Sequence, residues 1–75
     1  MNKEEFLNKY PEVPLELLEK YMASMKNKDL DGVLHYSWMI AVNIDEDPTV
    51  NELSKDMELL LENYDIDYRY TEEWK

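Results

Sequence analysis

Apart from carboxylates, few side chains of this sequence could carry out catalysis or bind a metal. There is one His and no Cys, which excludes a thiolate zinc site and a thiol nucleophile. His35 has no second His or Glu at ligand spacing, so we interpret it as a packed or rim residue. Ser24, Ser37 and Ser54 lie outside any Gly-x-Ser-x-Gly motif. Paired carboxylates need a partly dry cleft for acid and base roles, and 75 residues rarely enclose one. We therefore expect no enzymatic activity and no cofactor.

One run of oxygen-bearing side chains has part of the spacing of a calcium site. Asn27, Asp29, Asp31 and Gly32 resemble the start of an EF-hand loop and lie between two predicted helices. The twelfth position of such a loop requires a bidentate Glu, and here it is Trp38. Two oxygen ligands are then missing, so we interpret Asp29 as a helix cap and expect no metal.

Capping residues and a proline predict the first two helices. Asn2 and Glu5 have the spacing of a capping box, which predicts a helix over 3–9. Pro14 suits a first helical position and predicts a second helix over 14–27. One half of this second helix is apolar, as expected for a surface helix that packs on a core. The apolar half consists of Leu15, Leu17, Leu18, Tyr21, Met22 and Met25.

The third predicted helix is apolar on nearly all sides. It follows Asp29 and runs from Leu30 to about Ile44. A helix of this kind is central in the fold or meets a second chain. We therefore expect Trp38 to be buried in the core, with a homodimer through residues 30–44 as an alternative.

The last elements are a fourth helix and a C-terminal tail. Thr49 and Glu52 have capping-box spacing and predict a helix over 50–63. Residues 64–70 alternate between apolar and polar, as in an extended segment. The predicted core side of the helix carries Val50, Leu53, Met57, Leu60, Leu61 and Tyr64, and the opposite side carries Glu52, Asp56, Glu58 and Glu62.

These elements predict an all-α fold, with residues 1–75 forming one small domain of three to four helices and an irregular or extended C-terminal tail. A single Gly disfavours a hairpin-rich β fold, which needs several residues with positive φ. The segment 33–44 is nevertheless rich in residues that favour strands. An α+β fold that pairs 33–44 with 64–70 is therefore the alternative.

The charge of the chain restricts its partners. The formal net charge is −10, and all of the excess lies in residues 29–75. Such a field repels nucleic acid and anionic membranes, so we expect neither as a direct partner. No apolar run is long enough to span a bilayer, and the first five residues include two acids where a signal peptide has cations. We therefore expect the protein to be located in the cytoplasm of a bacterial or phage-infected cell.

Acidic and aromatic side chains of the second half form the candidate binding surface. Acids on one helix face are about 5 to 7 Å apart, comparable to phosphates along a nucleic-acid strand. Aromatic residues beside them are typical of interface centres, whereas the alternative is a solvated face that maintains solubility. The predicted partner-binding residues are Asp45, Glu46, Asp47, Glu52, Asp56, Glu58, Glu62, Asp65, Asp67, Tyr68, Tyr70 and Trp74.

The composition favours a non-enzymatic protein that docks on a basic, nucleic-acid-binding protein and inhibits it. Small acidic proteins of this composition are typical of phage-encoded inhibitors of restriction, CRISPR or host transcription, some of which mimic DNA. One alternative is an immunity or antitoxin protein that neutralises a basic nuclease toxin. Another is a homodimeric structural or adaptor domain.

Overall fold

Four α-helices and a short 3-10 helix make up the described part of the chain. The computed structural model describes residues 1–44 and 50–74, with the side chains of all of these except 50, 51 and 72–74. The elements are α1 (Lys3–Lys9), α2 (Leu15–Lys26), α3 (Leu30–Asn43), α4 (Val50–Asn63) and the C-terminal 3-10 helix (Arg69–Trp74). None of these helices is both long and apolar enough to cross a membrane.

The all-α prediction is confirmed. The described residues contain no strand, so the alternative pairing of 33–44 with 64–70 is wrong. The extended tail is also only partly correct, because Arg69–Trp74 forms a 3-10 helix after a short irregular segment. Tyr70 holds this helix against the bundle, since its hydroxyl donates a 2.8 Å hydrogen bond to the Met25 carbonyl at the end of α2.

Side-chain caps begin two of the helices as predicted. In α1 the Asn2 Oδ1 accepts from the Glu5 N–H at 2.8 Å, and the Glu5 Oε1 accepts from the Asn2 N–H at 3.0 Å. In α3 the Asp29 Oδ1 accepts from the Gly32 N–H at 3.2 Å, so Asp29 is a cap. Pro14 is the N-cap of α2 and not its first helical residue. The predicted cap Thr49 lies outside the described residues.

The helices α2 and α4 end in the same left-handed turn. Lys28 after α2 has φ 56° and Asp65 after α4 has φ 58°. In each turn the next N–H bonds back five residues, from Asp29 to the Ser24 carbonyl and from Ile66 to the Leu61 carbonyl, both at 2.9 Å. These bonds satisfy carbonyls that a helix end leaves open. The first turn reverses the chain, so that α3 packs against α2.

The core lies around α2, and α3 is not central. The closest packing between helices is α2 on α3, followed by α1 on α2 and on α4. Within α3 only Val33 and Ile40 are buried, together with Ile44 at its end. Trp38 is 67% exposed, so the prediction that it is buried in the core is wrong. The buried apolar side chains are Phe6, Tyr10, Val13, Leu17, Leu18, Tyr21, Met22, Met25, Val33, Ile40, Ile44, Leu53, Met57, Leu60 and Leu61.

Gly32 lets the first turn of α3 approach the end of α2. A Cβ at this position would lie 2.6 Å from the Asp29 Oδ2 and 2.6 Å from the Ser24 Oγ. Ser24 is buried, and Asp29 caps α3 through its other carboxylate oxygen. The close atoms belong to side chains, so a larger residue would force the Ser24 hydroxyl and the Asp29 carboxylate to rotate, and the movement of Asp29 would disturb the cap of α3.

We predict that Gly32→Ala lowers the free energy of unfolding by about 1 to 3 kcal/mol, as overpacking does. This loss occurs although Ala favours a helix over Gly by roughly 1 kcal/mol. Urea denaturation measures it. Ser24→Ala removes one of the two clashing atoms, so the double variant should lose less than the two single losses combined. A Gly32→Ala variant as stable as the natural chain would contradict the close approach.

Candidate protein-docking surface

The structure divides the predicted acidic surface into three parts. Asp45, Glu46 and Asp47 lie outside the described residues, as does the side chain of Trp74. The acids of the first half of α4 are paired or buried. The acids that follow are exposed: Glu58, Glu62, Asp65 and Asp67.

Asp56 is the clearest correction to the predicted surface. It was expected to face solvent, but it is buried, with 6% of its surface exposed. Its Oδ2 accepts a 2.6 Å hydrogen bond from the Tyr10 hydroxyl and lies 2.7 Å from the Lys9 Nζ. The same Nζ is 2.8 Å from a carboxylate oxygen of Glu52. The two acids thus connect α4 to the end of α1; Asp56 is buried in this contact, whereas the Glu52 side chain remains half-exposed.

The shifted pKa values agree with this internal role. Burial alone would raise the pKa of Asp56, but hydrogen bonds from Lys9 and Tyr10 stabilise the carboxylate, so its pKa lies below its ordinary value. Hydrogen bonds to Asp56 and Glu52 raise the pKa of Lys9. Burial, followed by the hydrogen bond to Asp56, raises the pKa of Tyr10. The ionised carboxylate and the protonated amine are therefore the states that the fold holds.

The exposed acids occupy the second half of α4 and the turn after it. Within the described residues, no Lys or Arg side chain forms an ion pair with Glu58, Glu62, Asp65 or Asp67. Glu62 accepts a 2.9 Å hydrogen bond from the Tyr68 hydroxyl, and this bond raises the pKa of Tyr68. We call these four acids the acidic edge. With Asp56 buried, the regular series of acids predicted along α4 is interrupted.

The predicted aromatic contacts have structural roles in the described residues. Tyr68 and Tyr70 are half-buried and pack against the core. Their hydroxyls are occupied by Glu62 and by the Met25 carbonyl. These two residues fix the tail beside α2 and α4. Their role is therefore to position the acidic edge, and their hydroxyls are already hydrogen-bonded within the fold.

An apolar groove between α3 and α4 was not predicted. One part has a volume of about 650 Å³, and it lies next to a second opening of about 690 Å³ that reaches Glu58 and Tyr68. Leu34, Ser37, Ser54 and Met57 line both openings, which makes them continuous. The sequence feature that indicates this groove is the third helix, which is apolar on nearly all sides and which was predicted from the sequence to lie at the centre of the fold. We call this feature the α3–α4 groove.

Searches against known protein families, curated proteins and solved structures found no match to this chain. No relative therefore assigns a role to any of its residues. In the described residues, no three His, Asp or Glu side chains come together as a metal site. The features that a partner could use are the acidic edge and the α3–α4 groove, which meet at Glu58.

We predict that Asp56→Asn lowers the free energy of unfolding by about 1.5 to 3 kcal/mol at pH 7, the range for hydrogen bonds to a charged group. Because the pKa of Asp56 is lower in the folded state, its carboxylate stabilises the fold above the unfolded pKa of about 3.9. This contribution is lost as the pH falls through the folded-state pKa. Urea denaturation at pH 7, 5 and 3 should therefore show a difference that shrinks at the lowest pH.

The matched control for this prediction is Glu52→Gln. This substitution removes the exposed partner of the same Lys9 and should cost less than about 1 kcal/mol, as is usual for surface ion pairs. Equal losses for the two variants, or a loss for Asp56→Asn that does not change with pH, would contradict the role assigned to Asp56.

Proposed function

We propose that this chain is a non-enzymatic binding protein that docks on a basic, nucleic-acid-binding protein and inhibits it. The observation that carries the proposal is the acidic edge. Glu62, Asp65 and Asp67 line one concavity beside Arg69, and Glu58 lies one helical turn before Glu62. None of these four exposed carboxylates forms an ion pair within the described residues, and the chain has a net charge of −10. A surface of one sign attracts a partner of the opposite sign and speeds its association.

The arrangement favours electrostatic attraction over a copy of the DNA backbone. Glu58 and Glu62 are one turn apart on α4, about 6 Å along the axis. The acids that precede Glu58 on α4 do not extend this regular spacing of exposed charges, because Asp56 is buried and Glu52 is paired with Lys9. We infer that the acids attract the basic partner electrostatically, and that their negative charge then hinders the binding of nucleic acid to that partner. The proteins of restriction, CRISPR or host transcription that such an inhibitor would bind offer a basic target of this kind, and so does a nuclease toxin.

The acidic edge can be neutralised without disturbing the fold. The variant has Glu58→Gln, Glu62→Gln, Asp65→Asn and Asp67→Asn, all at exposed positions. Gln at 62 can still accept from the Tyr68 hydroxyl, and Asn suits the positive φ at 65. A matched control removes four exposed charges from the first half of the chain, with Gln at Glu4, Glu12, Glu16 and Glu19. Both variants have the same net charge.

The test begins with a pulldown from bacterial lysate at low and high salt. The basic proteins captured are identified by mass spectrometry, purified, and measured for affinity to each variant. We predict at least a tenfold loss of affinity for the acidic-edge variant, less than threefold for the control, and unchanged melting temperatures. Association should slow as salt rises, because attraction is screened over about 8 Å at physiological ionic strength.

Competition completes this test. Nucleic acid added to the purified partner should displace the chain. Equal affinities of the two charge variants would mean that the acidic edge serves only solubility. Simultaneous binding of chain and nucleic acid would refute inhibition by exclusion.

A further inference from the structure

Three of the most exposed apolar side chains of the fold form a stripe on α3. Leu34 is 56% exposed, Trp38 67% and Val42 49%, and they follow one another at intervals of four residues. Leu30 begins the same stripe at 38%. The stripe extends from Leu30 to Val42, thirteen residues, and rises about 18 Å at 1.5 Å per residue, which is about three turns of helix. Four aligned apolar residues of this exposure are more than scattered surface positions.

Two residues of this stripe, Leu34 and Trp38, lie on the wall of the α3–α4 groove. Leu34, Trp38 and Ala41 line the groove from α3, and Leu53, Ser54 and Met57 line it from α4. Most of the lining residues are apolar, and the Ser37 hydroxyl is occupied because it donates to the Leu34 carbonyl of its own helix at 3.2 Å; Ser54 and His35 are the other polar residues of this lining. Met57 and Met25 add adaptable side chains to the two openings, as in proteins that bind amphipathic helices.

We propose that the α3–α4 groove binds an amphipathic helix of the partner, with an apolar face in the groove and basic residues at its flank. The proposal rests on the proposed function and names the second part of the same docking surface. Amphipathic helices bind in such apolar grooves through anchors at i, i+3, i+4 and i+7. The acidic edge then lies beside the helix and meets its cations.

The charges around the groove determine the type of helix. Glu58 lines the second opening, and Tyr68, which also lines it, is hydrogen-bonded to Glu62. Both openings lack Lys and Arg among their described lining residues, and His35 is the sole basic type present there. Lysines or arginines on the bound helix would thus meet Glu58 at the groove, and at the acidic edge they would meet Glu62, Asp65 and Asp67, which outnumber the neighbouring Arg69.

A second copy of the chain is the less favourable occupant. Each copy has a net charge of −10, so an interface beside the acidic edge would bring two strongly negative surfaces together. A basic helix gains from the same field. The repulsion between two copies and the attraction for a cationic helix both select a partner of opposite charge.

The test uses synthetic helical peptides and the full chain. One 18-residue peptide has Leu at i, i+3, i+4 and i+7 with Lys at the flanks, a second has Glu in place of Lys, and a third has the composition of the first in scrambled order. Fluorescence anisotropy of labelled peptides measures binding. We expect the Lys peptide to bind at least tenfold more tightly than the other two. Equal binding of the Lys and Glu peptides, or no binding of the Lys peptide, would overturn the proposal.

Variants on the groove locate the binding site. Leu34→Ala and Trp38→Ala should each weaken binding of the Lys peptide and of the captured partner at least fivefold, with little change in melting temperature because both side chains are exposed. The matched control is Leu15→Ala on α2, which removes a leucine of similar exposure, 49% against 56% for Leu34, and Leu15 does not line the groove. Equal effects of Leu15→Ala and Leu34→Ala would refute the groove as the site.

Two outcomes separate this proposal from the proposed function. If the acidic-edge variant loses the partner but Leu34→Ala and Trp38→Ala bind it fully, the function stands and the groove proposal fails. If neither the acidic-edge variant nor the groove variants change the affinity for the partner, the proposed function and the groove proposal both fail. Sedimentation equilibrium addresses the remaining occupant, since a dimer that Leu34→Ala dissociates would place a second copy in the groove and overturn the proposal.

Discussion

The close packing of α3 on α2 is the constraint on which the rest of the structure depends. Gly32 allows this packing, because any Cβ there would clash with Ser24 and Asp29. Once α3 is placed, Val33 and Ile40 fill its contact with the core. Other apolar residues of α3, such as Trp38, remain exposed within the part of the chain that the structure describes. The small core of a 75-residue chain thus leaves one apolar wall open.

The position of α4 depends on a different interaction. The Asp56 carboxylate receives Lys9 and Tyr10 from α1, so a charge from the acidic half is compensated by a cation from the neutral half. Leu60 and Leu61 complete the attachment by burial. The far side of α4 retains exposed carboxylates such as Glu58. Apolar residues of α3 and Glu58 of the acidic edge therefore line the same groove.

The sequence predicted the helices well because their signals are local. The Asn2–Glu5 box and the Asp29 cap define helix starts within a few residues of chain, and both are confirmed. Burial was harder to predict. Asp56 lies three residues after Leu53 and four before Leu60, a spacing that places it beside the apolar stripe, but its charge favoured an exposed position.

The errors concern contacts between distant parts of the chain. The partners of Asp56 are 46 and 47 residues away, and periodicity cannot identify them. The apolar third helix was compatible with a central position or a docking position, and only the arrangement of its neighbours distinguishes these. The acidic edge lies within the surface predicted from the sequence, whereas the groove beside it could be recognised only once the fold was known.

The central claim is that the groove and the acidic edge form one docking surface for a basic helix. The most direct measurement is a titration of the ¹⁵N-labelled chain with the Lys-flanked peptide, followed by NMR. The account predicts that the largest shifts occur at the Trp38 indole N–H and at the amides of Leu34, Met57 and Glu58. Shifts centred on α1, or spread evenly over the chain, would contradict it.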